Sequence, residues 1–135
     1  MAELEENKRG VNGEMILGFK KQFVDKIKKH KTKIHTIRED NHNRWRAGNI
    51  INFATGVGTK AYHQFDCCVC ISVQKIEIIY GGFSTPQIIV DGKTLPIEKH
   101  FVLARNDGFG SKEEFYEWFA KDFTGKIIHW TGWMY

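Results

Sequence analysis

The sequence predicts an α+β domain: a small, mostly antiparallel β-barrel with two or more flanking helices. Three observations predict it. Five or more β-branched and apolar runs are separated by turn residues. Two apolar stripes at helical spacing lie far apart in the chain. The 135 residues fit one domain, and 10 Phe, 4 Tyr and 4 Trp give it a bulky core without a disulfide framework.

Residues 1–13 read as a flexible polar leader, and 14–135 as the domain. Ile16, Phe19, Phe23 and Ile27, with Val24, recur at helical spacing, while Lys20, Lys21, Lys26, Lys28 and Lys29 cover the other side. This predicts an amphipathic helix, entered from a short strand at Met15 to Leu17. Lys33 to Arg38 reads as extended, Glu39 to Arg46 as a flexible polar segment, and Asn49 to Ala54 as a strand. Thr55 to Lys60, with two glycines, reads as a loop or hairpin turn. Phe65 to Tyr80 is long enough for one bent strand or two. Asp91-Gly92, between Gln87–Val90 and Lys93–Leu95, marks a hairpin, because Asp-Gly accepts the positive φ angles of a type I′ turn. Ser111 and Glu114 form the S-x-x-E signature of a second helix, followed by Phe115, Trp118, Phe119 and Phe123 on one face. A last strand covers Ile127 to Trp130.

The net charge is +4, but it is unevenly spread. Phe19 to Arg46 holds ten Lys/Arg against three Asp/Glu, whereas the remainder holds ten against 13. Such a run is ordinarily a solvated face, and at this density it also suits a polyanionic partner. No apolar stretch approaches the ~18 residues of a membrane span, so no membrane partner is expected. No obligate protein partner and no cofactor are indicated either. Cys67, Cys68 and Cys70, three within four residues, do not make a disulfide scaffold, and a reducing, cytoplasmic setting is expected. C-C-x-C also lacks the paired spacing of a zinc site, so these thiols read as core filling and no metal is expected.

The segment Lys31 to Arg46 carries the candidate chemistry. Lys33 offers a point charge, Thr36 a hydroxyl, and Arg38 a planar fork for phosphate or carboxylate. His35 lies among them. Trp45, between Arg44 and Arg46, suits base stacking beside phosphate contacts, and suits equally well a Trp that caps the core from a loop. Strict alternation puts Thr36 and Arg38 on the face opposite Lys33 and His35. Lys33 and Thr36 converge only if the chain turns or bulges between them.

Ile16 to Ile27 (I-L-G-F-K-K-Q-F-V-D-K-I), Lys33 to Arg38 (K-I-H-T-I-R) and Arg44 to Phe53 (R-W-R-A-G-N-I-I-N-F) together resemble an ASCH domain, of the PUA-like superfamily. Leu103 to Phe109 (L-A-R-N-D-G-F), Glu114 to Phe119 and Ile127 to Thr131 match in style and order. The resemblance spans about residues 15 to 131. It implies a PUA-like barrel and a cleft that takes RNA or nucleotides. One bacterial branch that it resembles contains N4-acetylcytidine amidohydrolases, in which a Lys, a Thr three residues later and a Glu are catalytic. Lys33 and Thr36 match the first two. Asp107 stands nearest in position to the Glu, although an N-D-G sequence also serves simply as a turn.

Three functions follow as expectations. The first is a domain binding RNA, single-stranded nucleic acid or a nucleoside or nucleotide in one basic cleft around Lys33 to Arg38, with His35, Arg44, Trp45 and Arg46 as further contacts. The second is a small amidohydrolase deacylating a modified nucleoside, with Lys33, Thr36 and Asp107 as catalytic residues. The third is a protein-interaction domain using its basic helix.

Overall fold

A computed structural model describes residues 7–9 and 14–135. Of the segment expected as a leader, Asn7–Arg9 forms strand β1, and its other residues lie outside the described ones. The chain continues through β2 (Met15–Gly18), a 3₁₀ turn at Lys21–Phe23, α1 (Val24–Lys28), β3 (His35–Arg38), β4 (Ile50–Thr55) and β5 (His63–Val69). It then forms β6 (Ser72–Ile79), β7 (Gln87–Val90), β8 (Lys93–Thr94), α2 (His100–Asn106), α3 (Lys112–Trp118) and β9 (Phe123–His129).

The described strands pair as two sheets, ordered β1-β2-β4-β5 and β3-β9-β6-β7-β8, and these pairings do not close into a ring. β2 and β4 are parallel, and every other pair is antiparallel. The expected α+β class and mostly antiparallel pairing are therefore present. The run Phe65 to Tyr80 is two strands. Between them Cys70 N–H donates to Asn49, just before β4, and Ile71 N–H to His129 of β9, so the chain crosses between the sheets at Cys70–Ile71.

Leu17, Ile51 and Phe53 from the first sheet and Ile37, Ile76, Ile88 and Ile127 from the second belong to one buried cluster with Leu103 of α2 and Phe115 of α3. Phe53 meets Trp130 edge-on at 4.8 Å between centroids, which joins the sheets through aromatic contact.

Three local signals are realised directly. Asp91 and Gly92 adopt φ of 50° and 80° in the β7–β8 turn. Ser111 Oγ accepts from Glu114 N–H at 3.1 Å and caps α3. The Glu114 carboxylate reaches back one residue further than a capping box requires, to Gly110 N–H at 3.1 Å. The first helix is shorter than its apolar stripe suggests. Phe19 N–H donates to Ala54 and prolongs the β2–β4 ladder, so helical turns begin only at Lys21. Phe19, Phe23 and Ile27 are buried as the spacing requires. α2 has no sequence signature at its start, because its N-cap is Lys99, whose side chain caps nothing.

Phe53→Ala is expected to cost about 3–5 kcal/mol in urea denaturation, because it empties a site bordered by three other rings. Phe83→Ser, at a residue 77% exposed, is expected to stay within about 0.5 kcal/mol of the parent.

Candidate functional site

The site begins where α2 ends. A helix leaves its last carbonyls without intrahelical donors, and this end is inside the protein. Gly108, at φ +97°, terminates α2 in a Schellman motif: Phe109 N–H donates to Ala104 and Gly108 N–H to Arg105. The next three carbonyls are taken by α1 and the segment leaving it. Ile34 N–H donates to Asn106 at 2.8 Å, Lys33 Nζ to Asp107 at 2.6 Å, and Lys26 Nζ to Gly108 at 2.6 Å. Two ammonium groups thus meet the negative end of the helix dipole. Thr32 and Lys33 N–H both donate to the Lys26 carbonyl, and Lys31 adopts φ +56°, so the chain reverses before Lys33.

Lys33 and Asp107 are each 3% exposed. Lys33 Nζ lies 3.2 Å from Asp107 Oδ1, and the same oxygen lies 3.2 Å from His35 Nδ1. The Lys33 ammonium also sits 4.9 Å from the centre of the Phe23 ring and 5.6 Å from that of Phe19. Burial pushes the His35 imidazole below its ordinary pKa. Asp107 opposes this shift through its hydrogen bond and charge, and Lys33 adds to it. His35 is therefore neutral near pH 7, and the charge partner of Asp107 is Lys33.

Thr36 and Arg38 occupy the other face of β3. The pairing of β3 with β9 runs unbroken from His35↔His129 to Arg38↔Lys126. The turn falls at Lys31, ahead of Lys33, and the strand alternates normally from His35 on. The structure therefore joins Lys33 to Asp107 and sets Thr36 with Arg38. Arg38 Nε donates to Thr36 Oγ1 at 3.1 Å and Nη2 to the Gly18 carbonyl at 2.8 Å. The guanidinium lies 4.9 Å from the Phe19 ring centre, so Phe19 touches the cations of both groups.

The segment from Glu39 to Arg46, expected to be flexible, is organised by Asp40. Its Oδ1 accepts from Arg44 N–H at 2.8 Å, and its Oδ2 from Trp45 N–H at 3.0 Å and Lys126 Nζ at 2.8 Å. Burial alone would raise the Asp40 carboxyl, but these donors outweigh it and hold the pKa below the ordinary value. Trp45 is 3% exposed and belongs to the core, so the stacking role is corrected to the core-capping one. A surface hollow of about 220 Å³ lies beside it, lined by Glu39, Asp40, His42 and Arg44 among others. Arg44 and Arg46 are exposed.

The cysteines are free. Cys70 is buried, and burial pushes its thiol up to about 11. Among the described residues no three His, Cys, Asp or Glu side chains gather as metal ligands would.

Several polar residues around Asp107 carry no signal in the sequence. Tyr135 OH lies 2.7 Å from His35 Nε2 and accepts from Asn106 Nδ2 at 2.9 Å. Gln74 Oε1 accepts from Tyr135 N–H at 2.9 Å, and Gln74 Nε2 donates to the Tyr135 carbonyl at 2.9 Å. His129 Nε2 donates to Gln74 Oε1 at 2.9 Å, and its ring lies 5.3 Å from that of His35. Only the pairing of β3 with β9 puts these two rings together.

Two predictions follow. A Cβ on Gly108 would stand 2.9 Å from both Lys33 Cδ and Phe23 Cδ1. Gly108→Ala is therefore expected to cost about 1–3 kcal/mol in denaturant, through both the positive φ and the crowding. Burial, and next the neighbouring His35, lower the His129 imidazole to about 4, against the pull of Asp91 and Asp107. The unfolded chain takes up this proton below about pH 6.5 and the folded chain only near pH 4. Stability is thus expected to fall by about 3 kcal/mol as pH drops through that window. A urea midpoint constant from pH 7 to 4.5 would contradict the neutral histidine pair.

No family model, no curated protein and no solved structure matches this chain.

Proposed function

We propose that the chain is a nucleoside- or nucleotide-binding domain of the ASCH type, with its ligand site at the Lys33–Thr36–Arg38–Asp107 group. In this reading the two sheets are the halves of a small PUA-like barrel with the helices packed outside. One observation carries it. A single short strand and the residue two before it turn two cations, an imidazole and a hydroxyl inward, on both faces. Burying an ion costs several kcal/mol before any partner repays it, and a fold-stabilising strand needs no such set. Lys33 and Arg38 suit the oxygens of a phosphate or carbonyl, and Thr36 and Asp107 suit hydrogen bonds to a base or its acyl group.

The burial of Trp45 narrows the partner. Single-stranded nucleic acid is held along an exposed basic groove with aromatic platforms. Here the aromatic is in the core and the cations are inside, which favours one nucleoside-sized ligand over a long strand. Arg44 and Arg46 remain as surface cations for a phosphate.

The amidohydrolase reading has specific support in the Lys33–Asp107 pair at 3.2 Å. Because Arg38 donates to Thr36 Oγ1, the hydroxyl keeps its own proton to give. In this reading the Lys33 ammonium, held by Asp107, polarises the acyl carbonyl, Thr36 Oγ attacks its carbon and gives its proton to the leaving amine, and water then hydrolyses the acyl–Thr36 ester to free the acid and the hydroxyl.

Titration calorimetry with cytidine, cytidine monophosphate and N4-acetylcytidine tests the proposal. At least one is expected to bind, and Lys33→Met and Arg38→Met are expected to weaken it tenfold or more while the fold, checked by circular dichroism, persists. Absence of binding to all three would contradict the proposal. Release of acetate from N4-acetylcytidine, abolished in Thr36→Ala, would select the amidohydrolase reading.

A further inference from the structure

Four hydrogen-bonding groups close a ring around Asp107. Its Oδ1 meets His35 Nδ1, His35 Nε2 meets Tyr135 OH, Tyr135 OH meets Asn106 Nδ2, and Asn106 precedes Asp107 in the chain. Counting protons fixes the direction of every bond. The Asn106 amide nitrogen can only donate, so the Tyr135 oxygen accepts from it. The phenol then spends its single proton on His35, which makes Nε2 the acceptor. A neutral imidazole with a bare Nε2 carries its proton on Nδ1, and Nδ1 therefore donates to Asp107. The opposite end demands the same tautomer, because an ionised carboxylate beside Lys33 accepts and cannot donate. Turning the Asn106 amide round would leave the Nδ1 lone pair facing the carboxylate, so the carboxylate end fixes the amide orientation as well as the tautomer.

From this arrangement we infer that His35 and Tyr135 are positioning residues for Asp107. The one-way relay from Tyr135 through His35 holds Oδ1 against Lys33, so that the ligand meets a fixed carboxylate–ammonium pair. Neither residue needs to touch the ligand. The backbone of Tyr135 is itself pinned, with N–H and carbonyl both bonded to the Gln74 amide, so the phenol is delivered to His35 from a fixed point. His129 packs 5.3 Å from His35 and 6.0 Å from Tyr135 and walls the relay. The inference rests on the proposed site for its purpose but not for its geometry.

The test uses the full chain labelled with ¹⁵N. At pH 7 the His35 ring is expected to show a protonated Nδ1 and a bare Nε2, and a proton on Nε2 instead would overturn the relay. His35→Asn keeps a donor near the Nδ1 position, whereas His35→Gln keeps one near Nε2. Exchange of the Lys33 ammonium protons with solvent is expected to remain near the wild-type rate in His35→Asn and to quicken tenfold or more in His35→Gln. Equal rates in the two variants would refute a positioning role. Tyr135→Phe removes only the outer bond of the relay and is expected to quicken the same exchange three- to tenfold. An unchanged rate there would likewise refute it. Binding of cytidine monophosphate is expected to follow the same order. If the wild type binds no nucleoside, the proposed ligand falls, while the ring tautomer and the Lys33 exchange still decide the relay.

Discussion

The C-terminal end of α2 is buried, and its carbonyls must find donors inside the protein. Ile34 N–H, Lys33 and Lys26 supply them. Much of the local architecture follows from that demand. A lysine brought in to cap a helix is a charge removed from water, and it needs a counter-charge at close range. Asp107, one residue past the helix, provides it from the same turn whose carbonyl Lys33 caps. Gly108 must then be a glycine, because the motif requires its φ and Lys33 and Phe23 leave no room for a side chain.

The capping demand also explains the arrangement of β3. Lys33 is fixed at the helix end, so alternation sends His35 to the same carboxylate and Thr36 and Arg38 to the other side. There Gly18 and the Phe19 ring receive the guanidinium. Phe19 lies between the two polar groups and touches the cation of each. Regular strand alternation thus turns one structural necessity into a polar set whose chemistry exceeds what folding needs.

The parts of this arrangement that are local in sequence were legible there. Asp91-Gly92 encodes its turn through positive φ, and Ser111 with Glu114 encodes a helix start. K-x-H-T-I-R encodes an extended segment rich in candidate ligands. The stripe Phe19, Phe23, Ile27 identified the buried positions but overstated the helix, because β-pairing with β4 captures residue 19. The meeting of Lys33 with Asp107 was legible only as a conjecture from family resemblance. The contributions of Tyr135, Asn106, Gln74 and His129 were not legible at all. Each depends on contacts between residues about 30 to 100 positions apart, which neither periodicity nor propensity records. Trp45 shows the same limit: its neighbours left a stacking platform and a core cap equally open, and the buried indole beside the Asp40 turn decides for the core.

The claim on which the account turns is that Lys33 and Asp107 act as one buried unit. A double-mutant cycle measures this directly. Lys33→Met, Asp107→Asn and the combined variant would be unfolded in urea alongside the parent chain. The account predicts that each single change is costly and that the double change costs much less than their sum, with a coupling of about 2 kcal/mol or more. Costs that add to within about 0.5 kcal/mol would show two independent groups and contradict it.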